Sequence, residues 1–290
     1  MGNVVCICRH YILCLWPILW HNVSGNQNQK EMLTVLFLGT GTSTGVPVIG
    51  CRCEVCRSEN PRNKRWRSSV LVRSATTTLL VDSCPDLRMQ ALQHNLTAID
   101  AVLYTHEHLD HTSGFDEMRA FCWKREDRLP LYAGKECLAQ LRRMFGWAFN
   151  DANTYQGYIR PQAHDHAGSP FQVGDIQVIP VPVKHASVET YGYVFRAAGH
   201  SFGYIPDIKE LPESSVPLLQ GLDALAMDGL RYREHRTHCC VDESVALMRR
   251  LAPHRGLLTH CGHEVEYDSL CAYLPDFICP AYDGMLLELQ

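Results

Sequence analysis

The chain has 290 residues, 46% of them hydrophobic, which suffices for one large α/β unit without the disulfide scaffold that its 14 cysteines might suggest. Its formal charge of −4 excludes a global electrostatic pull on nucleic acid, so a polyanionic ligand would need a local basic patch. The candidate patch is Arg62, Lys64, Arg65 and Arg67 around Trp66, with a solvated loop as its alternative.

Taken in chain order, the first 31 residues differ in composition from the rest. Val4 to Trp20 is largely apolar but is interrupted by Arg9, His10 and Pro17. The basic residues lie inside the apolar run and no small-residue cleavage site follows, which disfavours a secretory signal. The run is short for a membrane span, and Gly2 with Cys6 and Cys8 fits an acylated terminus only loosely. We expect residues 1–31 to be a poorly ordered, dispensable extension, with Met32 as a second start, and a folded cytoplasmic domain over 32–290. Asn22-Val23-Ser24 is a glycosylation sequon only in a secreted chain.

From Met32 onward apolar runs predict strands at 33–38, 69–72, 78–82, 101–104, 130–132, 176–183, 191–196, 202–205, 222–227, 257–259 and 285–289. Helical spacing covers Asp86 to His94, Glu136 to Phe145 and Asp242 to Ala252; the last opens on acidic and closes on basic residues, as the helix dipole prefers. Cys84, Cys122, Cys137, Cys271 and Cys279 are scattered and read as small apolar core residues in a reducing compartment. His164, His166, His200 and His254 read as surface residues.

The strand at 101–104 runs into Thr105-His106-Glu107-His108-Leu109-Asp110-His111. A strand end followed by a tight loop can aim His106 and His108 at one metal while Asp110 and His111 turn toward a second. Imidazole and carboxylate suit Zn²⁺, with Mn²⁺ or Fe²⁺ as alternatives. This H-x-H-x-D-H element resembles that of the metallo-β-lactamase superfamily. Leu36-Phe37-Leu38-Gly39-Thr40-Gly41-Thr42 resembles its opening strand and glycine turn, and Leu79-Leu80-Val81-Asp82 its strand ending in a structural Asp. The resemblance covers about residues 33 to 289 and implies a four-layer αββα sandwich.

It also implies the remaining ligands: His185 joins His106 and His108 on one ion, His260 joins Asp110 and His111 on the other, and Asp207 is shared. Pro206 and Ile208 flank Asp207 where the family often has Ser or Thr. Gly45 to Cys56, with Cys51-Arg52-Cys53-Glu54-Val55-Cys56 at its end, resembles a loop of the PhnP-like branch, phosphodiesterases acting on cyclic phosphates. The likeness implies a structural zinc on Cys51, Cys53, Cys56 and His263; free or redox-active thiols are the alternative. His238 resembles the branch's non-ligand histidine, a candidate general acid, with His235 as a nearby rival.

The implied enzyme is a binuclear Zn- or Mn-dependent phosphodiesterase for a small cyclic diester, in which a hydroxide shared by the metals attacks and Asp110 helps to orient it. No stable nucleic-acid binding and no membrane span are expected, and a homodimer is left open. The alternatives are a tRNA 3′-processing endonuclease, which would need a clamping arm between His185 and Asp207, and a lactam, ester or thioester hydrolase. A di-iron redox protein, which His108 argues against, and a non-catalytic binding module complete the set.

Overall fold

In a computed structural model the described residues are 32–123, 125–152, 155 and 157–290. The N-terminal extension, with the acylation, second-start and sequon readings attached to it, lies outside the described residues.

Among the described residues fourteen strands form two seven-stranded sheets. The first, in the order β14-β1-β2-β3-β4-β5-β6, comprises β1 (Leu33–Gly39), β2 (Ser69–Arg73), β3 (Thr78–Val81), β4 (Ala101–Leu103), β5 (Leu129–Ala133), β6 (Pro161–Asp165) and β14 (Leu286–Leu289). The second, β13-β12-β11-β10-β9-β8-β7, comprises β7 (Phe171–Val173), β8 (Ile176–His185), β9 (Val188–Ala197), β10 (His200–Ile205), β11 (Ala224–Asp228), β12 (Arg255–Thr259) and β13 (Ile278–Pro280). The period-2 alternation of a strand explains how each sheet is buried on both faces. On β1, Leu33, Val35 and Phe37 enter the core between the sheets, where they join Tyr193, Phe195, Phe202 and Tyr204. Leu36 and Leu38 face the other way.

Outside the first sheet lie α2 (Leu87–Gln93), α4 (Arg119–Cys122) and α5 (Lys135–Met144); the short α1 (Glu54–Arg57) precedes α2, and the short α3 (Leu109–Thr112) stands between α2 and α4 in the chain. Outside the second lie α6 (Val216–Leu219), α7 (Val241–Leu251) and α8 (Tyr267–Tyr273). The αββα order is therefore the observed one. Helix α7 begins where Glu243 Oε2 accepts the Cys240 N–H at 2.8 Å, and Arg249 and Arg250 occupy its last turn, as helix-end electrostatics require. In the second sheet β10, β11 and β12 run parallel, so their carboxyl ends meet at one rim of the sandwich.

Four expectations are corrected. Strands β6, β7 and β13, helix α8 and the short helices α1, α3, α4 and α6 were not foreseen. Arg65 is not part of an exposed basic patch: it is 2% exposed, while Arg67 is paired with Asp86 at 2.9 Å and Arg62 lies over the rings of Tyr267 and Tyr282. His166 is buried rather than on the surface. Its Nδ1 accepts the Gly168 N–H at 3.1 Å and its Nε2 lies 3.2 Å from the Tyr193 hydroxyl, which donates to the Tyr104 carbonyl. The cysteine reading holds for Cys84, Cys122 and Cys137, which are buried, whereas Cys271 and Cys279 are half-buried.

Burial pushes His166 down to about 4, below the ordinary histidine value near 6.5. The unfolded chain therefore takes up a proton between pH ~6.5 and ~4 that the folded chain refuses, and stability is lost as pH falls through that window. We expect the stability advantage of wild type over His166→Gln, from urea denaturation at a series of pH values, to shrink by about 1–3 kcal/mol between pH 7.5 and 4. A pH-independent difference would show that His166 is not held neutral.

Candidate metal centre

The first ligands are placed by β4 and the turn after it. His106 leaves the strand end, His108 is extended (φ −60°, ψ 148°) and caps α3, and the single turn of α3 swings Asp110 and His111 back inward. His106 Nε2 lies 2.9 Å from His108 Nδ1, and His185 Nε2, at the end of β8, lies 3.3 Å from the same atom. On the other side His111 Nε2 is 3.3 Å from Asp110 Oδ2, and His260 Nε2, just past β12, is 3.6 Å from it. Asp207, just past β10, stands between the two groups: Oδ2 is 3.0 Å from His111 Nε2, and Oδ1 is 3.4 Å from His260 Nε2 and 3.7 Å from His185 Nε2. The structure thus brings together all seven residues that the sequence singled out, in the two sets expected, with Asp207 between them.

The donor atoms fit cations. His111 Nδ1 faces the buried Asp82 at 2.8 Å, so one proton sits there and Nε2 is the nitrogen turned toward the Asp207 carboxylate, where a cation, whether proton or metal ion, is called for. His185 Nδ1–H donates to the Thr237 carbonyl at 2.8 Å, which leaves its Nε2 bare. Thr105 Oγ1 donates its one proton to Asp82 and so acts toward His106 Nδ1, at 3.0 Å, as an acceptor, which places the His106 proton on Nδ1 and leaves Nε2 bare. His111 Nε2, Asp207 Oδ2 and His260 Nε2 are buried without a hydrogen-bond partner. Buried polar atoms are normally satisfied, and lone pairs converging on one another are stabilised by a divalent ion.

Protonation follows the same logic. Burial opposes ionisation of Asp207, yet His260, His111 and His106 outweigh it and hold the carboxyl well below the ordinary range. Burial would also neutralise His111, but Asp110, Asp207 and Asp82 raise it well above the usual histidine value. The carboxylates therefore demand positive charge between them. Asp82 supports the arrangement from behind: at a positive φ of 63° it accepts the Thr105 N–H and Oγ1–H, both at 2.9 Å, besides His111.

His238 lies in the loop ahead of α7, with its ring 4.5 Å from that of His185 and 5.0 Å from that of His260. Its Nδ1 is 2.7 Å from Asp228 Oδ2 and 3.5 Å from Asp207 Oδ1. His238 also falls within a possible ligand group with His185 and Asp207. The shorter contact ties Nδ1 to Asp228. Sequence reasoning missed Asp228, although the signal was there: Leu225-Ala226-Met227-Asp228 is an apolar strand ending in Asp, as are Val81-Asp82 and the run before Asp207. Asp228 is fully buried, and it also accepts the Ile208 and Leu230 N–H groups. The rival His235 lies one ring further out, 5.1 Å from His238.

The cysteine group assembles separately. The sulfurs of Cys51, Cys53 and Cys56 stand 3.3, 3.5 and 3.7 Å from His263 Nδ1, close to the roughly 3.5–3.8 Å edge of a tetrahedral zinc site. Only Cys261 and Gly262 separate His260 from His263.

Two sheets with helices outside and paired metal-ligand sets on one rim define a class. A model of the beta-lactamase superfamily domain matches residues 77–261, and the chain belongs to this superfamily of metal-dependent hydrolases. Within it the likeness runs to the PhnP family: the crystal structure of a diphosphatase from that family is 36% identical, with a TM-score of 0.82, covering 89% of this chain and 97% of that one. An octanoyltransferase of Porphyromonas gingivalis is 35% identical over 254 residues, 86% of this chain, but the chain spans only 50% of that protein. Coenzyme PQQ synthesis protein B of Methylorubrum populi is 29% identical over 226 residues, covering 67% of this chain and 72% of that protein. Among the described residues no helix is long and apolar enough to cross a membrane.

Proposed function

We propose that the unit over 32–290 is a binuclear metal-dependent phosphodiesterase acting on small, including cyclic, phosphodiesters. The observation that carries this reading is the convergence of His106, His108, His185 and Asp110, His111, His260 on Asp207, with Asp228-held His238 beside them. The likeness to a PhnP-family diphosphatase supports phosphoryl chemistry. An endonuclease clamp is disfavoured, because the chain between His185 and Asp207 is taken up by the β9–β10 hairpin. In this reading His106, His108 and His185 hold one Zn²⁺ or Mn²⁺, Asp110, His111 and His260 the second, and Asp207 both. Cys51, Cys53, Cys56 and His263 hold a structural Zn²⁺.

Two divalent ions at this spacing would bring water ionisation to neutral pH and neutralise charge on the phosphoryl group. Asp110 and Asp207 orient the attacking water in line with the leaving oxygen. Asp228 holds one proton on His238 Nδ1, and the imidazolium form of the ring carries a second on Nε2, which it delivers to the departing alkoxide to become the neutral Nδ1–H ring; the alkoxide leaves poorly without that proton.

A dianionic monoester repels a negatively charged nucleophile more than a monoanionic diester does. We expect turnover of a cyclic nucleotide to exceed that of the corresponding monoester; faster monoester turnover would sink the diesterase reading. Metal analysis tests the ion count, with three ions per chain in wild type. Cys53→Ala should lose one ion and, through the Thr259 to His263 turn, about 10- to 100-fold in activity. Unchanged metal content and activity in that variant would remove the structural zinc from the scheme.

A further inference from the structure

We infer that Arg65 is a positioning residue for the metal centre, acting on His260 through the turn that carries it; the inference rests on the binuclear reading above. His106, His111 and His185 each have a hydrogen-bond partner on the nitrogen turned away from the site, in Thr105, Asp82 and Thr237 respectively. His260 has none: both its ring nitrogens are buried without a partner. It is also a non-glycine residue at a positive φ of 57°, a conformation that persists only where the surroundings impose it. With no hydrogen bond to a supporting group, the ring takes its aim from stacking against His111 and His238 and from the backbone on either side, and only the backbone fixes where it starts.

That backbone is held by a buried guanidinium. Arg65 is 2% exposed, and its Nη1 donates to the Gly262 carbonyl at 3.1 Å while Nη2 donates to the Val265 carbonyl at 2.9 Å and to Asn63 Oδ1 at 3.2 Å. Arg65 makes no ion pair among the described residues, so the cost of burying its charge is met by neutral acceptors drawn mostly from one turn. The arginine is itself anchored, since its backbone exchanges two hydrogen bonds with Val46 at 2.7 and 2.8 Å. Gly41 passes so close that a Cβ there would lie 2.8 Å from the Arg65 carbonyl oxygen. The Cys261 N–H donates to Thr40 and the Gly262 N–H to Leu230, at the start of the loop that leads to His238. Arg65 is thus the side chain that ties the His260 turn to the opening glycine segment.

The test compares Arg65→Met and Arg65→Lys with wild type as purified holoprotein. After dialysis against a zinc chelator, Arg65→Met should lose the ion served by Asp110, His111 and His260, and keep the cysteine-bound ion, read as an intact thiolate-to-metal absorption band after cobalt substitution. Its kcat on a diester should fall about 100-fold with KM changed less than about threefold, and Arg65→Lys should recover part of both losses. Hydrogen exchange in Arg65→Lys should quicken at Cys261 and Gly262 but not in β1, a readout that holds even if the Met variant does not fold. Wild-type metal retention, kcat and exchange in both variants would overturn the proposal. So would loss of the cobalt–thiolate band with the second catalytic ion retained, which would make Arg65 a support of the cysteine site alone. If wild type binds its ions but hydrolyses no diester, the phosphodiesterase reading fails while the positioning role is still decided by metal retention and exchange.

Discussion

Asp207→Asn should abolish at least about a thousandfold of kcat on a diester while leaving the fold intact, because the residue answers to both halves of the centre at once. Its two oxygens lie within 3.0 to 3.7 Å of nitrogens from His111, His260 and His185, which come from three different elements. An amide keeps the shape of the side chain but presents one neutral oxygen and an NH₂ group, which would point donor hydrogens at a cation or at a bare imidazole nitrogen. The negative charge that offsets two divalent ions is lost as well. Metal analysis should find at least one catalytic ion missing and the cysteine-bound ion retained. A variant that kept more than about a tenth of wild-type activity would mean that the two groups do not work as one site.

The legibility of this site in the sequence follows chain distance. His106, His108, Asp110 and His111 are readable because one strand end and one helical turn bring them together, so their spacing carries the chemistry. His185, Asp207, His260 and His263 stand on separate elements, and nothing local distinguishes them from a histidine or aspartate at any strand end; a family likeness was needed to select them. The layer order was likewise a matter of resemblance, since periodicity marks strands without saying which faces meet.

The unforeseen strands share a physical cause. β6, β7 and β13 all lie at sheet edges, where a strand has one partner and less apolar surface to bury. Pro161-Gln162-Ala163-His164-Asp165 is accordingly half polar, and its burial is uneven. Arg65 and His166 failed in the opposite direction. Residue type suggested surface, but a charged or polar side chain can be buried when neutral acceptors or a tyrosine hydroxyl complete its hydrogen bonds, and such partners are set by tertiary contacts alone.

Asp228 turns His238 from a nearby imidazole into one with a defined direction, and the second large effect is expected here. The 2.7 Å contact from His238 Nδ1 to Asp228 Oδ2 keeps one proton on Nδ1, so that the second proton of the imidazolium form sits on Nε2, the nitrogen available to a leaving oxygen. Asp228 can do this because two backbone N–H groups, from Ile208 and Leu230, fix the carboxylate itself. His238→Ala should lower kcat by about 10²- to 10⁴-fold on a diester with an alkoxide leaving group, the range for removing a general acid. With a nitrophenyl diester, whose leaving group departs without a proton, the loss should be small. Asp228→Asn should fall between, at about 10- to 100-fold on the alkoxide substrate, because the histidine remains but its orientation and proton placement are no longer enforced. The leaving-group dependence carries the test. An equal loss on both substrates would assign His238 to metal binding alongside His185 and Asp207, the group it also approaches, rather than to proton donation.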